Sequence, residues 1–243
     1  MAGRVALSNS GAVGVGREFK AVFFDLDGTL VDIHGPLYIA AHKALGDLGH
    51  EPPLTREGYH QALARDDMWL GLPEHKRPDY LKLAFAYFIT ELDRTERLEV
   101  LPHVMETLAE LKRRGYATAI VTSRPGDSRR LVGKLAMVGL AAYFDQVVTQ
   151  ETASLRALDK TESLKHAALR AAIVPRACMY VGDEPRDVMA AMAAGFGAAV
   201  GVATGPATYG YLREHPQYRP DFVMRSMAEL VGLLDQLKYG ASE

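Results

Sequence analysis

Short apolar runs at residues 20–24, 116–121, 146–149, 178–181 and 198–202 are each bounded by turn residues. Between them, residues 104–114, 129–138, 161–172 and 186–194 carry apolar side chains at helical spacing. Strand and helix in alternation call for parallel pairing, because a parallel neighbour is reached only through a crossover. The expected class is α/β, with a Rossmann-like parallel sheet covered by helices on both faces.

One interval breaks the rhythm. About ninety residues separate the first run from the second, where a crossover needs about 30. The excess, residues 34–100, reads as helices only, over 36–48, 55–63 and 79–92, with loops at 50–54 and 70–76. The expected layout is therefore a core of residues 19–33 and 101–240 carrying an inserted helical cap domain at 34–100, with Pro102 marking re-entry. Residues 1–18 are Gly- and Ser-rich without period and read as a disordered leader; Ser8, Asn9 and Ser10 break any signal-peptide apolar region.

Residues 188–212 carry no charge, long enough to raise a membrane span. They are mostly Ala and Gly, with Pro206 inside and a helix stop at Gly195, so a buried helix followed by a buried strand fits better. The 28 basic residues against 30 acidic ones argue against a nucleic-acid binder, whose affinity rests on clustered Lys and Arg. The single cysteine, Cys178, sits among apolar neighbours and reads as a buried strand residue rather than a nucleophile. A soluble cytoplasmic enzyme or binding protein is expected.

The chemistry begins at Lys20–Asp32, KAVFFDLDGTLVD. Side chains two apart on a strand point the same way, so Asp25 and Asp27 arrive together at a carboxyl end of the sheet, where open α/β folds bind ligands. Two carboxylates there repel unless a cation lies between them or one holds a proton, and a hard divalent ion such as Mg²⁺ resolves the conflict. A strand-terminal Asx turn is the bland alternative. Gly28 and Thr29 follow as a tight turn whose amides are expected to face the site.

After the second strand, Thr122 and Ser123 precede a helix expected to begin near Pro125 or Asp127. Hydroxyls there either bind an anion together with free helix amides or simply cap the helix. The fourth strand ends in Gly182-Asp183, with Glu184 and Asp187 close behind, adding carboxylates to the same edge. Lys160 follows the third strand; it is either a solvated charge or the counter-charge to these acids. The eight histidines show no transition-metal ligand spacing.

In this order, DxDGT, a strand-end Thr, a Lys and GDxxxD resemble the haloacid dehalogenase-like hydrolase superfamily, and most closely its phosphoglycolate-phosphatase-like branch with a helical cap. The resemblance runs from about Lys20 to the C-terminus and includes LPHVMETLAELKRRGY and PDFVMRSMAELVGLL. It implies Asp25 as nucleophile, Asp27 as general acid and base, and Thr122, Ser123 and Lys160 as catalytic or binding groups around the phosphoryl oxygens, with Gly28, Thr29 and Arg124 beside them. It implies Mg²⁺ on Asp25, Asp27 through its backbone carbonyl, and Asp183, with Asp187 nearby. Thr161 stands where relatives commonly have Pro, leaving Lys165 as the alternative lysine.

Within the superfamily, an acid at Asp27 argues against dehalogenation, and the lack of a lysine between Lys43 and Lys76 argues against Schiff-base phosphonate cleavage. Hydrolysis of a small phosphorylated metabolite is favoured over a phosphosugar mutase, and both over a non-catalytic phosphate-binding regulator. Substrate choice is expected from residues 64–76, where Arg65 and Trp69, with Lys76 and Arg77, either reach the substrate or form a solvated face. The expected partners are that metabolite, with no nucleic acid and no membrane, for a monomer or homodimer.

Overall fold

The computed structural model describes residues 16–50, 55–63, 67–124, 128–149 and 160–240. Residues 1–15, Arg65 and the helix start expected near Pro125 or Asp127 lie outside the described residues. Residues 16–18, assigned by composition to the leader, are held on the core. The Gly16 amide donates to the Leu237 carbonyl at 3.0 Å, and Glu18 pairs with Lys238 at 3.2 Å.

Six strands form one parallel sheet: β1 (Ala21–Phe24), β2 (Ala117–Val121), β3 (Gln146–Val148), β4 (Cys178–Gly182), β5 (Ala198–Val202) and β6 (Phe222–Met224). Their spatial order is β3-β2-β1-β4-β5-β6. The chain winds outward from β1 to β3, then returns to the other side of β1 with β4. The crevice between the carboxyl ends of β1 and β4 is thus the topological switch point. Five strands match the apolar runs of the sequence to within one residue at each end. β6 was not anticipated; three residues between Asp221 and Arg225 are too short to show a period.

The helices are α1 (His34–Asp47), α2 (Arg56–Leu63), α3 (Arg77–Arg94), α4 (Val104–Arg113), α5 (Ser128–Met137), α6 (Thr161–Arg170), α7 (Pro185–Ala193), α8 (Tyr209–Glu214) and α9 (Leu230–Tyr239). Strand alternation splits the core into two layers. Val22, Phe24, Ile120, Val181 and Val200 face α4, α5 and α9, while Ala21, Phe23, Ala119, Cys178 and Tyr180 face α6 and α7. The second layer sets Phe23 and Tyr180 among small residues, Ala21, Ala119 and Cys178, against α6 and α7. Cys178 is fully buried, and burial pushes its thiol up to about 12, which leaves it a packing residue. Gly195, at φ +75°, ends α7 with its amide on the Met192 carbonyl and the Phe196 amide on that of Ala191, the paired bonds of a left-handed helix stop. β5 follows, and no helix among the described residues is long and apolar enough to cross a membrane.

Residues 34–94 supply α1, α2 and α3, which bury a core of their own around Ala44, Leu45, Tyr59, Leu72 and Tyr80. Lys43 on α1 pairs with Glu91 on α3 at 2.6 Å. The chain leaves and re-enters the sheet side by side: the Asp32 amide donates to the Glu99 carbonyl at 2.8 Å and the Leu101 amide to that of Leu30 at 3.0 Å. These two crossing segments are short, so the helical layer is joined to the sheet by a narrow neck.

Phe222 is 1% exposed on β6 and packs into the layer beneath α9. Phe222→Ala is expected to destabilise the fold by about 3–5 kcal/mol. Urea denaturation would show this as a lower midpoint at unchanged slope; an unshifted midpoint would mean that the edge strand contributes nothing to the cooperative unit.

Candidate active site

β1 delivers Asp25 to the switch point, its amide continuing the ladder to the Val181 carbonyl at 2.9 Å. The chain then turns sharply. Gly28, at φ +82°, donates its amide to the Val31 carbonyl at 2.9 Å, and the Thr29 amide returns to Leu26 at 3.3 Å. Both amides are consumed by the turn, which corrects the expectation that they face a ligand. Thr29 is fully buried, and its hydroxyl donates to Asp183 Oδ1 at 2.9 Å. Gly28 is needed for space as well as for its backbone angle, since a Cβ there would overlap the Asp183 carboxylate. These two residues shape the floor under Asp183.

β4 ends at Gly182, and Asp183 is 1% exposed. Asp187, one turn into α7, is equally buried, and its Oδ2 accepts from the Glu184 amide at 3.1 Å. Lys160, immediately before α6, places its Nζ 2.7 Å from Asp25 Oδ1 and 2.7 Å from Asp187 Oδ1. Carboxylate oxygens of Asp25, Asp183 and Asp187 all lie within 4.8 Å of one another. Three buried acids thus share one ammonium. Lys165, the alternative lysine, instead pairs with Glu162 on an exposed part of α6 at 2.7 Å.

The electrostatics follow from this crowding. Burial pushes the Asp25 carboxyl up to about 7; Lys160 opposes the rise, and the charges of Asp187 and Asp27 add to it. Burial, reinforced by Glu184, Asp187 and Asp25, holds Asp183 well above the usual carboxylate range. For Lys160 burial pulls downward, but Asp187 and Asp25 outweigh it and keep the ammonium well above its ordinary value. Asp183 Oδ2 is buried with no hydrogen-bond partner, and a Cβ at Gly205 would fill the space beside it. An orphaned carboxylate oxygen facing a second acid, in a pocket kept open by two glycines, fits a hard divalent cation. Asp25 and Asp183 would hold it. Both oxygens of Asp187 are already engaged, so it stands behind them.

Thr122 ends β2, 2% exposed, and its Oγ1 accepts the Arg124 amide at 3.1 Å. The Arg124 side chain crosses to Asp27, with Nε 3.0 Å from Oδ2 and Nη2 bonded to Oδ1. This two-pronged pair engages both oxygens of Asp27. Any contact between Asp27 and a cation is therefore left to its backbone carbonyl. Asp25, Asp27, Thr122, Ser123, Arg124 and Lys160 line a chamber of about 70 Å³.

Several contributors were not anticipated. Thr204, after β5, donates to the Gly28 carbonyl at 2.7 Å and fixes the loop that carries Gly205 to Asp183. Tyr180 donates to the Val121 carbonyl at 2.9 Å and sets its ring 5.9 Å below the Lys160 ammonium. Arg186 joins the chamber wall and pairs with Glu184. A Thr-Gly pair at the end of a parallel strand next to β4 is the one signal that could have pointed to 204–205. Among the described residues, the roof of the chamber comes from Leu37 on α1 and Phe85, Phe88 and Ile89 on α3, while Met68 and Trp69 line the adjoining groove. Lys76 and Arg77 are used inside the helical layer: Lys76 donates to the Leu48 carbonyl at 2.8 Å, and the Arg77 guanidinium lies 4.9 Å over the Trp69 ring. Neither reaches the chamber, because each finds its partner within its own small core.

A family model described as haloacid dehalogenase-like hydrolase matches residues 19–195. Phosphoglycolate phosphatase 1 from Pseudomonas aeruginosa is 31% identical, over 89% of this chain and 80% of its own length. Pyrophosphatase PpaX from Bacillus velezensis is 32% identical, over 88% of this chain and 96% of its own. The solved structure of a haloacid dehalogenase-like family hydrolase from Streptococcus pneumoniae superposes with a TM-score of 0.62 at 20% identity, covering 88% of this chain and 98% of that one, a likeness of fold. With a buried aspartate and lysine pair at the switch point, and a family model spanning most of the sheet, this chain belongs to the haloacid dehalogenase-like hydrolases.

Proposed function

We propose that the protein is a Mg²⁺-dependent phosphomonoester hydrolase working through an aspartyl phosphate on Asp25, with α1–α3 as a cap over the reaction. The observation that carries this reading is Asp25 at the floor of a small chamber, 2.7 Å from Lys160 and two residues from a second acid.

An Asp25 oxygen attacks phosphorus as the bond from phosphorus to the substrate's alcohol oxygen breaks. The departing oxygen takes a proton from Asp27. Asp27 then removes a proton from water, the water oxygen bonds to phosphorus, and the bond from phosphorus to Asp25 breaks, releasing phosphate and restoring both acids. Lys160 offsets charge on Asp25 and the equatorial oxygens, and Thr122 and Ser123 bound the space these oxygens occupy. Asp25, Asp183 and the Asp27 carbonyl would hold the ion, which would supply positive charge against the dianionic phosphoryl group. For Asp27 to exchange protons, its pair with Arg124 must open. An incoming phosphoryl group competes for that guanidinium and frees Asp27 as it binds. The apolar roof of Leu37, Phe85 and Phe88 excludes bulk water from the aspartyl phosphate. The names of the relatives make phosphoglycolate a natural comparison substrate.

Asp25→Asn is expected to lower phosphate release from p-nitrophenyl phosphate by at least about 10³-fold. Undiminished release in that variant, or release unaffected by a chelator, would rule out the mechanism. A second expectation follows from the raised Asp25 carboxyl. Because its value is about 7 in the folded chain against 3.8 ordinarily, the folded protein holds the extra proton between those limits, and the metal-free fold loses stability as pH rises through that window. A cation binds the ionised form and offsets this loss. Mg²⁺ should therefore raise the melting temperature more at about pH 8 than at about pH 5.5. An equal or reversed shift in thermal melts would place the cation elsewhere.

A further inference from the structure

The reacting chamber opens toward a second space that the proposed chemistry does not use. A groove of about 530 Å³ lies between α1–α3 and the loops after β4 and β5, and it shares Leu37, Phe85, Phe88, Glu184, Arg186 and Pro206 with the chamber. Its volume lies in the range of about 300–1,000 Å³ usual for small-molecule sites. Among its described lining residues only Glu184 and Arg186 carry charge, and they are paired with each other. The rest is apolar or aromatic, with the rings of Tyr59, Trp69, Tyr80, Phe85, Phe88 and Tyr211 among aliphatic side chains. Met68, Leu81, Phe85 and Tyr211 around it are 42%, 45%, 49% and 43% exposed. Scattered exposed apolar residues need no explanation, but four converging on one groove continuous with a reacting centre do.

The cations nearest the chamber are all committed. Lys160 is held by Asp25 and Asp187, Arg124 by Asp27, and Arg186 by Glu184. The phosphoryl group can displace one of these partners. A second anion on the organic part of the substrate, such as the carboxylate of phosphoglycolate, would meet no unpaired cation among the described residues and would be desolvated against Phe85 and Phe88.

Resting on the hydrolase reading above, we infer that the preferred substrate is a phosphomonoester whose alcohol carries an uncharged aromatic group, which the groove takes up while the phosphoryl group occupies the chamber. Edge and face contacts with Trp69, Phe85 and Phe88 orient the ring, and its burial supplies binding that a short hydrophilic ester cannot obtain.

The single tryptophan of the chain, Trp69, lies in the groove wall and reports its occupancy. Non-hydrolysable phosphonates separate binding from turnover. With Mg²⁺ and the full chain, 2-phenylethylphosphonate is expected to bind at least about tenfold more tightly than ethylphosphonate, the fold-change due to burying one ring, and to shift Trp69 fluorescence. Phosphonoacetate is expected to bind no better than ethylphosphonate. Leu81→Glu, at a half-exposed position on the groove rim, should narrow the preference for the phenyl compound. Equal affinities, a preference for the carboxylate-bearing compound, or a phenyl preference unchanged in Leu81→Glu would each overturn the inference. Hydrolysis of 2-phenylethyl phosphate, compared between the wild-type chain and Asp25→Asn, tests the underlying reading separately. Absence of turnover of this ester and of p-nitrophenyl phosphate alike would defeat the hydrolase assignment and leave the binding order to decide the groove.

Discussion

Three carboxylates buried within 4.8 Å of one another at the end of a parallel sheet would tear at the fold if nothing balanced them. Lys160 balances part of that charge, reaching Asp25 and Asp187 at equal distance. What remains falls on Asp25 and Asp183, whose carboxyls are held above their ordinary range, and on the unpartnered oxygen of Asp183. The surroundings are arranged around this deficit. Thr29 holds one Asp183 oxygen, glycines at 28 and 205 keep the space beside the other open, and the Tyr180 ring lies below the lysine. That deficit is what the proposed cation would offset.

The molecule divides its chemistry between two bodies joined by a narrow neck. The sheet edge presents charge and hydrogen bonds, which suit a phosphoryl group that is the same in every phosphomonoester. The helical layer presents aromatic and aliphatic side chains, which can read only what the phosphoryl group is attached to. α1–α3 bury a core of their own, and α3 is also tied to α5 where Arg130 pairs with Asp93 at 2.7 Å. Arg124 and Asp27 satisfy each other at the sheet edge.

Much of the core was legible in the sequence because parallel strands are buried on both faces and so appear as unbroken apolar runs. The same rule brings Asp25, Thr122 and Asp183 to one edge, because each directly follows such a run. Lys160 was legible only as one of two lysines. Its neighbour Lys165 lies on the exposed part of α6, and only the docking of that helix separates them. β6 was missed for its shortness. Thr29 was assigned to ligand because nothing in DGT tells whether a hydroxyl points out of the turn or back under the next strand.

The helical layer was legible as helices and not as a surface. α3 carries aromatic residues on more than one side, and its packing on α1 turns Phe85 and Phe88 toward the chamber and Tyr80 inward. Lys76 and Arg77 look like substrate ligands in a linear chain and are spent on a carbonyl and an indole in the folded one. The sequence by itself determined the parallel α/β class, the place of the insertion and the acids that meet at the switch point. Local periodicity and strand-end position are properties of short stretches of chain. Which cation neutralises which acid, which glycine makes room, and which face of α3 closes the chamber were decided by the tertiary structure. Each of those is a contact between residues far apart in the chain, and no local pattern encodes the distance between them.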